Sequence, residues 1–244
     1  MTLAELLKAL DQLAPAAQAE AWDNVGLMLG HPDREITSML VALDASLEVA
    51  EAAVDGAYDL ILTHHPLFFE PIKRLDLATP QGAVIATLIR HDIALVSLHT
   101  NLDQAYIVDH LGRRLGLNDI EHCGLWAWGR TEAPLSLPAF ATRFATTGAR
   151  LVDAGRPVAR VGFCPGSGMS CWPEALVAGC DTLVTGDIRY HQAVDARAAG
   201  LNLIDLGHFG SEAPAVADFA AELARRFTQL RITAFAARDI FNPA

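Results

Sequence analysis

The sequence predicts an α/β protein made of two α/β units, with mixed, largely parallel sheets, covering helices and a metal site at the carboxyl ends of strands. Three observations carry this. Short apolar runs of strand length alternate with segments of helical period, the pattern of a parallel sheet under helices. Three of the runs end alike: Tyr58–Thr63 enters His64-His65, Ile93–Leu98 enters His99-Thr-Asn-Leu-Asp103, and Leu201–Leu206 enters Gly207-His208, with Glu212 four residues on. In open α/β sheets, ligands sit beyond the carboxyl ends of the strands, and these polar clusters fall there.

Taken in order, Leu3, Leu6, Leu7, Leu10 and Leu13 mark a first helix,. Thr2 is its expected cap and Glu5 the capping-box partner. Ala21–Gly30 reads as a loop, Trp22-Asp23-Asn24, leading into a short strand. Trp22 is either a core tryptophan beside a turn or part of a pocket wall, and both readings stay open. Met39–Leu43 is a strand ending at Asp44, and a helix follows over 46–55. After the strand to His64-His65, Pro66 blocks a helix and Leu67-Phe68-Phe69 is expected to cover the site. Lys73 and Arg74 read as a solvated pair, with contact to substrate anions as the alternative. A helix over 81–91, the strand to His99 and a helix over 104–115 complete this part.

Near residue 124 the texture changes: Trp126, Trp128, Gly129-Arg130 and Pro134–Pro138 interrupt the pattern. The expected domains are therefore 1–124 plus 206–244, a discontinuous metal-binding unit, and 125–205, a smaller α/β unit. The second contains a helix from Leu137 to Thr147, a strand from Val158 to Phe163 and the loop Pro165-Gly-Ser-Gly168. That loop lacks the Gly-Lys-Ser/Thr ending of a P-loop, so a tight turn is the simpler reading. A strand enters Thr185-Gly186-Asp187, and His191 lies on a helix. Ala213–Phe227 is a long helix, and Gln229–Ala236 a last strand, returning to the first unit.

Composition narrows the function classes. Hydrophobic residues make up 52% and charged residues 19%, a folded rather than disordered balance,. The net charge of -11, with no basic run, disfavours nucleic acid as a partner,. Cys123, Cys164, Cys171 and Cys180 form no C-x-x-C pair, so free thiols are expected rather than a zinc knuckle,. The amino terminus lacks a signal-peptide layout, and no apolar stretch approaches the ~18 residues of a membrane span. The expected location is cytoplasmic, with no membrane partner.

His64, His65, Asp103, His208 and Glu212, with His99 near, exceed what one catalytic zinc needs, since such a site takes three protein ligands. The surplus suggests two metals sharing a carboxylate. A helix starting at Gly207 would put His208 and Glu212, four apart, on one face. Nitrogen and oxygen ligands without thiolate favour Zn, Mn, Fe or Co. Two such ions would activate a water for hydrolysis. H-E-x-x-H, G-x-S-x-G and G-x-G-x-x-G are all absent from the sequence. His31, His91, His110 and His122 read as surface residues, and His191 stands between the two groups.

At these residues the chain resembles the Nif-three-like dinuclear-metal-centre proteins, labelled GTP cyclohydrolase I type 2-like. The matching stretches are Trp22–Leu27, Ala42–Asp44, Leu62–Leu67, His99–Asp103, Gly166–Gly168, Thr185–Asp187, and Gly207-His208 with Glu212. They span nearly the whole chain in family order. Asp187 departs from the family's usual Glu. The resemblance implies a toroidal homohexamer, a trimer of dimers. It implies His65 and Asp103 on one divalent ion, His64 and His208 on the other, and Glu212 bridging, with His99 as a candidate helper. It implies a nucleotide substrate, with hydrolytic opening of the GTP purine ring at C8 and release of formate. Two other readings remain at this point. One is a phosphoesterase-type metal hydrolase on another small substrate. The other is a non-enzymatic metal-binding, metal-delivery or scaffold protein.

Overall fold

The computed structural model of the chain describes residues 1–241, apart from the side chains of 145–147. The expected 206–244 segment thus runs three residues past the described chain. In order come α1 (Leu3–Asp11), β1 (Gly26–Leu29), β2 (Ser38–Ala42), α2 (Leu47–Asp55), β3 (Leu60–Thr63), α3 (Pro80–Arg90), β4 (Ala94–Ser97) and the single turn α4 (Thr100–Leu102). A π turn, Asp103–Ile107, then leads into α5 (Val108–Arg114), β5 (Asn118–Cys123), β6 (Trp126–Leu135), α6 (Leu137–Ala141), β7 (Arg150–Val152) and β8 (Val158–Phe163). The chain continues as α7 (Trp172–Val177), β9 (Thr182–Thr185), α8 (Tyr190–Ala198), β10 (Asn202–Asp205), α9 (His208–Arg226) and β11 (Arg231–Ala234). The expected helix over 137–147 is split, with a 3₁₀ segment, Thr142–Thr147, following α6.

Two compact units result, Met1–Ala105 with Val216–Arg238, and Tyr106–Ala215 with Asp239–Ala244. The sequence pattern put the changes at 124 and 206. The break near 124 is a hairpin turn: Cys123 pairs with Trp126, and β5 and β6 run antiparallel in one sheet.

In the first unit the sheet order is β1-β4-β3-β2-β11. β4, β3, β2 and β11 are parallel, and β1 joins antiparallel. The Thr2 and Glu5 capping box closes the start of α1. Leu40, Ile61 and Leu95 pack with Val49 and Ala53 of α2 and with Val84 and Leu88 of α3. The parallel register aligns the ends of β3 and β4, Thr63 opposite Ser97, so His64, His65 and His99 leave the sheet at one edge.

In the second unit the order is β5-β6-β8-β9-β10-β7, with β8, β9 and β10 parallel and the rest antiparallel. Side-chain alternation, period two, splits the interior. Val184 and Ile204 join a cluster with Leu111 of α5 and Phe140 of α6. Leu183 and Leu203 face the other way, toward Ala175 of α7 and Ala196 of α8. Both strands are buried along their length, as in a sheet covered on both faces, with the apolar pairs Leu183-Val184 and Leu203-Ile204 between polar ends.

α9 contains Pro214. Proline has no N–H to give the carbonyl four residues back, here Gly210. The Arg114 guanidinium donates to that carbonyl at 2.6 Å. The helix therefore starts at His208, ahead of the proline, and not at Ala213. All four cysteines are free thiols; Cys123 is exposed, and burial pushes the Cys180 thiol up to about 12. Among the described residues, no helix is long and apolar enough to cross a membrane.

Asp59 braces the entry to β2. Its Oδ2 accepts from Thr37 N (2.9 Å), Thr37 Oγ1 (2.7 Å), Ser38 N (3.0 Å) and Ser38 Oγ (3.0 Å). Burial raises its pKa, but the Thr37, Ser38 and Arg34 donors outweigh this and hold the carboxyl below its ordinary value. A depressed folded value means stability that is present above the unfolded pKa of about 3.9. It is lost as pH falls through the folded value. Asp59→Asn turns an amide toward these donors and is expected to cost roughly 1–3 kcal/mol at neutral pH. The variant should also lose less stability than the parent below about pH 4. Urea titrations across pH check both; equal acid sensitivity in the two proteins would contradict it.

Candidate metal centre

The backbone ladder of the first unit extends past Thr63. His64 N donates to Ala42 O (3.2 Å), and His65 N to Leu43 O (2.9 Å). Thr63 Oγ1 bonds Ser97 Oγ across the strands and donates to the His65 carbonyl, each at 2.8 Å. At the end of β4, His99 N donates to Asn101 Oδ1, and the buried Asn101 amide donates to Ala14 O at 2.7 Å. These bonds fix the turn that carries Asp103. The rings of His64 and His65 lie 5.0 Å apart, those of His64 and His99 5.1 Å, and those of His65 and His99 5.7 Å. Their ring nitrogens lie within 4.8 Å of one another, a spacing able to hold a metal ion.

The outer partners decide which nitrogen is presented. A carbonyl or ionised carboxylate only accepts, so the facing Nδ1 must donate and Nε2 keeps its lone pair. His64 Nδ1 donates to Leu98 O (2.9 Å), His65 Nδ1 to Asp44 Oδ1 (2.7 Å), and His99 Nδ1 to Asp23 Oδ1 (2.8 Å). Asp23 also accepts from Thr100 N at 3.0 Å. Burial pushes the Asp23 carboxyl up, but its bonds from Thr100 and His99 outweigh this and leave it below the usual range.

The second unit repeats the arrangement. Asp187, past β9, accepts from His208 Nδ1 at 2.7 Å, leaving Nε2 at 3.2 Å from Glu212 Oε2. Asp44 and His65 are 21 residues apart, and so are Asp187 and His208. In each unit an aspartate just past one parallel strand anchors a histidine just past the next. This equal spacing was the signal in the sequence for the aspartates, which reading motif by motif left without a role. The loop 165–168 lies beside Glu212. Gly166 N donates to Ser211 Oγ at 2.9 Å, and a Cβ on Gly166 would stand 2.4 Å from Glu212 Oε1. Gly186 N donates to Gly166 O at 2.8 Å. A Cβ on Gly186 would meet the Gly207 backbone at 2.6 Å, which accounts for the glycine in Thr185-Gly186-Asp187.

His64, His65, His99 and Asp103 thus lie together in the first unit, and His208 and Glu212 in the second. His31, His91, His122 and His191 are exposed, and His110 is half-buried. Trp22 is 59% exposed, which excludes the core reading. Lys73 and Arg74 are exposed.

The donor set fits a divalent cation. His64 is 1% exposed and Asp103 8%. His64 Nε2 and Asp103 Oδ1 face each other at 3.5 Å. With Nδ1 committed to Leu98 O, both facing atoms are electron-rich, and only a cation, proton or metal, makes that approach favourable. Imidazoles with their outer nitrogen held on carboxylate or carbonyl are characteristic of metal ligands.

A family model described as Duf34/NIF3 (NGG1p interacting factor 3) matches residues 1–242. A Streptomyces coelicolor protein named GTP cyclohydrolase 1 type 2 homolog is 36% identical, covering 87% of this chain and 82% of the relative. A Helicobacter pylori protein named GTP cyclohydrolase 1 type 2 is 32% identical, covering 85% and 86%. A crystal structure of a Staphylococcus aureus hypothetical protein superposes with a TM-score of 0.92 at 28% identity, covering 100% of this chain and 99% of that one.

Proposed function

The chain belongs to the Duf34/NIF3 family, and from that premise we propose that it is a dinuclear-metal-dependent hydrolase of the GTP cyclohydrolase 1 type 2 kind. The observation that carries this reading is the shared orientation of His64, His65, His99 and His208, each held at Nδ1 by an oxygen. The names of the relatives supply the nucleotide.

In this reading His65 and Asp103 would hold one divalent ion and His64 and His208 the other, with Glu212 serving both. Such ions, drawn from Zn, Mn, Fe or Co, would supply Lewis acidity and a water acidified toward neutral pH. The chain's own residues do the rest. Leu98 O, Asp44 and Asp187 each hold an Nδ1 proton and so keep the Nε2 atoms aimed. His99 stands outside the five-ligand set; Asp23 holds its Nδ1 proton, so Nε2 is the atom that takes or returns a proton. Freeing C8 of a purine as formate consumes two waters and breaks both C8–N bonds, so a proton must reach each departing nitrogen. The same reading carries the toroidal hexamer, a trimer of dimers.

The test is elemental analysis of protein purified without chelator or affinity metal, followed by formate assay with GTP. The expectation is about two ions per chain and formate production that chelation abolishes. Full metal with no formate would remove GTP as substrate and leave the centre. Failure to take up Zn, Mn, Fe or Co would remove both.

A further inference from the structure

Between β3 and α3 the chain runs through residues 64–79 without regular structure. Irregular segments of that length inside a compact unit are usually binding loops or lids. Its two ends are fixed. The Leu67 carbonyl accepts from Gln81 Nε2 and the Phe68 carbonyl from Asn24 Nδ2, each at 2.6 Å. At the other end the Asp76 carbonyl accepts from Thr79 Oγ1 at 2.7 Å, and Asp76 Oδ1 from Ala78 N at 2.9 Å. A Cβ on Gly82 would collide with that Asp76 carbonyl, so α3 seats directly against it. Between these anchors, no residue from Glu70 to Leu75 makes a hydrogen bond or an ion pair among the described residues. Phe69 is 51% exposed, Ile72 45% and Leu75 46%, although apolar surface gains by burial. Phe69, at the root of the free stretch, meets His99 edge-on with 5.4 Å between ring centroids.

The free stretch also carries the local positive charge. In the exits of the three central strands, 43–46, 64–79 and 98–104, Lys73 and Arg74 are the only lysine and arginine, beside Asp44, Glu70, Asp76 and Asp103. They pair with none of these carboxylates. We propose that residues 69–75 form a strap that closes over the edge holding His64, His65 and His99, with Lys73 and Arg74 gripping a phosphate group of the substrate. Closure buries part of Phe69, Ile72 and Leu75, which stabilises the closed form. It also excludes water, which strengthens the two ionic contacts. The inference rests on the hydrolase reading of the same site and adds what holds the charged end of the substrate. Ammonium and guanidinium bind phosphate through charge-assisted hydrogen bonds, so the strap selects for phosphate and does not tell one base from another.

The test uses the full chain supplied with Mn, with GMP as the phosphate-bearing probe and guanosine as its phosphate-free counterpart. Trypsin cuts after lysine and arginine, so fragments ending at Lys73 or Arg74 report how open the strap is, and calorimetry gives affinity. The expectation is that saturating GMP slows cleavage at these two bonds about tenfold, while guanosine leaves the rate of the free chain. The double variant Lys73→Gln with Arg74→Gln should weaken GMP about tenfold or more and leave guanosine binding and metal content unchanged. Both positions are exposed, so the variant is expected to fold as the parent does. GMP binding without protection, parent-like GMP affinity in the double variant, equal weakening of both probes, or no GMP binding by the parent would overturn the strap. Metal content is read on the same samples. Metal-replete protein that fails these tests keeps the metal centre and loses the strap. Protein that GMP protects but that takes up no metal keeps the strap and loses the hydrolase.

Discussion

Glu212→Ala is expected to emerge from purification almost free of metal, and the parent with about two ions per chain. Glu212 is 3% exposed, with one carboxylate oxygen 3.2 Å from His208 Nε2. In the proposed assignment it is the ligand that both ions share, so its loss weakens each, and removes the negative charge that offsets two adjacent cations. His64→Ala removes a ligand of one ion and is expected to leave about one ion per chain. Elemental analysis of both variants, with circular dichroism as the folding control, decides between them. Two ions per chain retained by folded Glu212→Ala would show that the carboxylate does not bridge.

The second large effect is expected at Gly166. Its φ is +61°, and an added Cβ would stand 2.4 Å from Glu212 Oε1 and 3.3 Å from His208 Nε2. Neither side yields cheaply. Gly166 is held through its N–H on Ser211 and its carbonyl on Gly186, and Glu212 is buried on α9. Gly166→Ala should lose roughly 1–3 kcal/mol of stability and about 10- to 100-fold in metal affinity, the range seen when ligand orientation is disturbed. Gly155→Ala is the control, since its φ is +76° but nothing lies within 4 Å of the added Cβ. It carries the backbone penalty alone. If both variants lose metal equally, or if Gly166→Ala binds metal as the parent does, Gly166 is not there to make room for Glu212.

Much of the first unit is legible in the sequence because its signals are local. The capping box at Thr2 and Glu5, the runs at 60–63 and 94–97, and β11 as a final strand follow from side-chain type and period, whereas the pairing of β11 with β2 does not. The pairing of His208 with Glu212 does follow, once a helix begins at 208. The hairpin of β5 and β6 was hidden, because Glu121-His122 interrupts any apolar alternation and burial is confined to 126–129 at the start of β6. The start of α9 was hidden by Pro214, because the donor that replaces its missing N–H, Arg114, is 96 residues from Gly210.

The sequence by itself determined the candidate ligand types and their places just past the ends of strands, since apolar runs and their polar exits are properties of neighbouring residues. Only the tertiary structure decided which imidazole nitrogen each histidine presents. That choice depends on the oxygen across from Nδ1, and those oxygens come from Asp44 and Asp187, 21 residues away, from Leu98 at 34 and from Asp23 at 76. Hydrogen bonds act over about 3 Å of space, and separation along the chain does not reveal which groups parallel strand pairing brings that close.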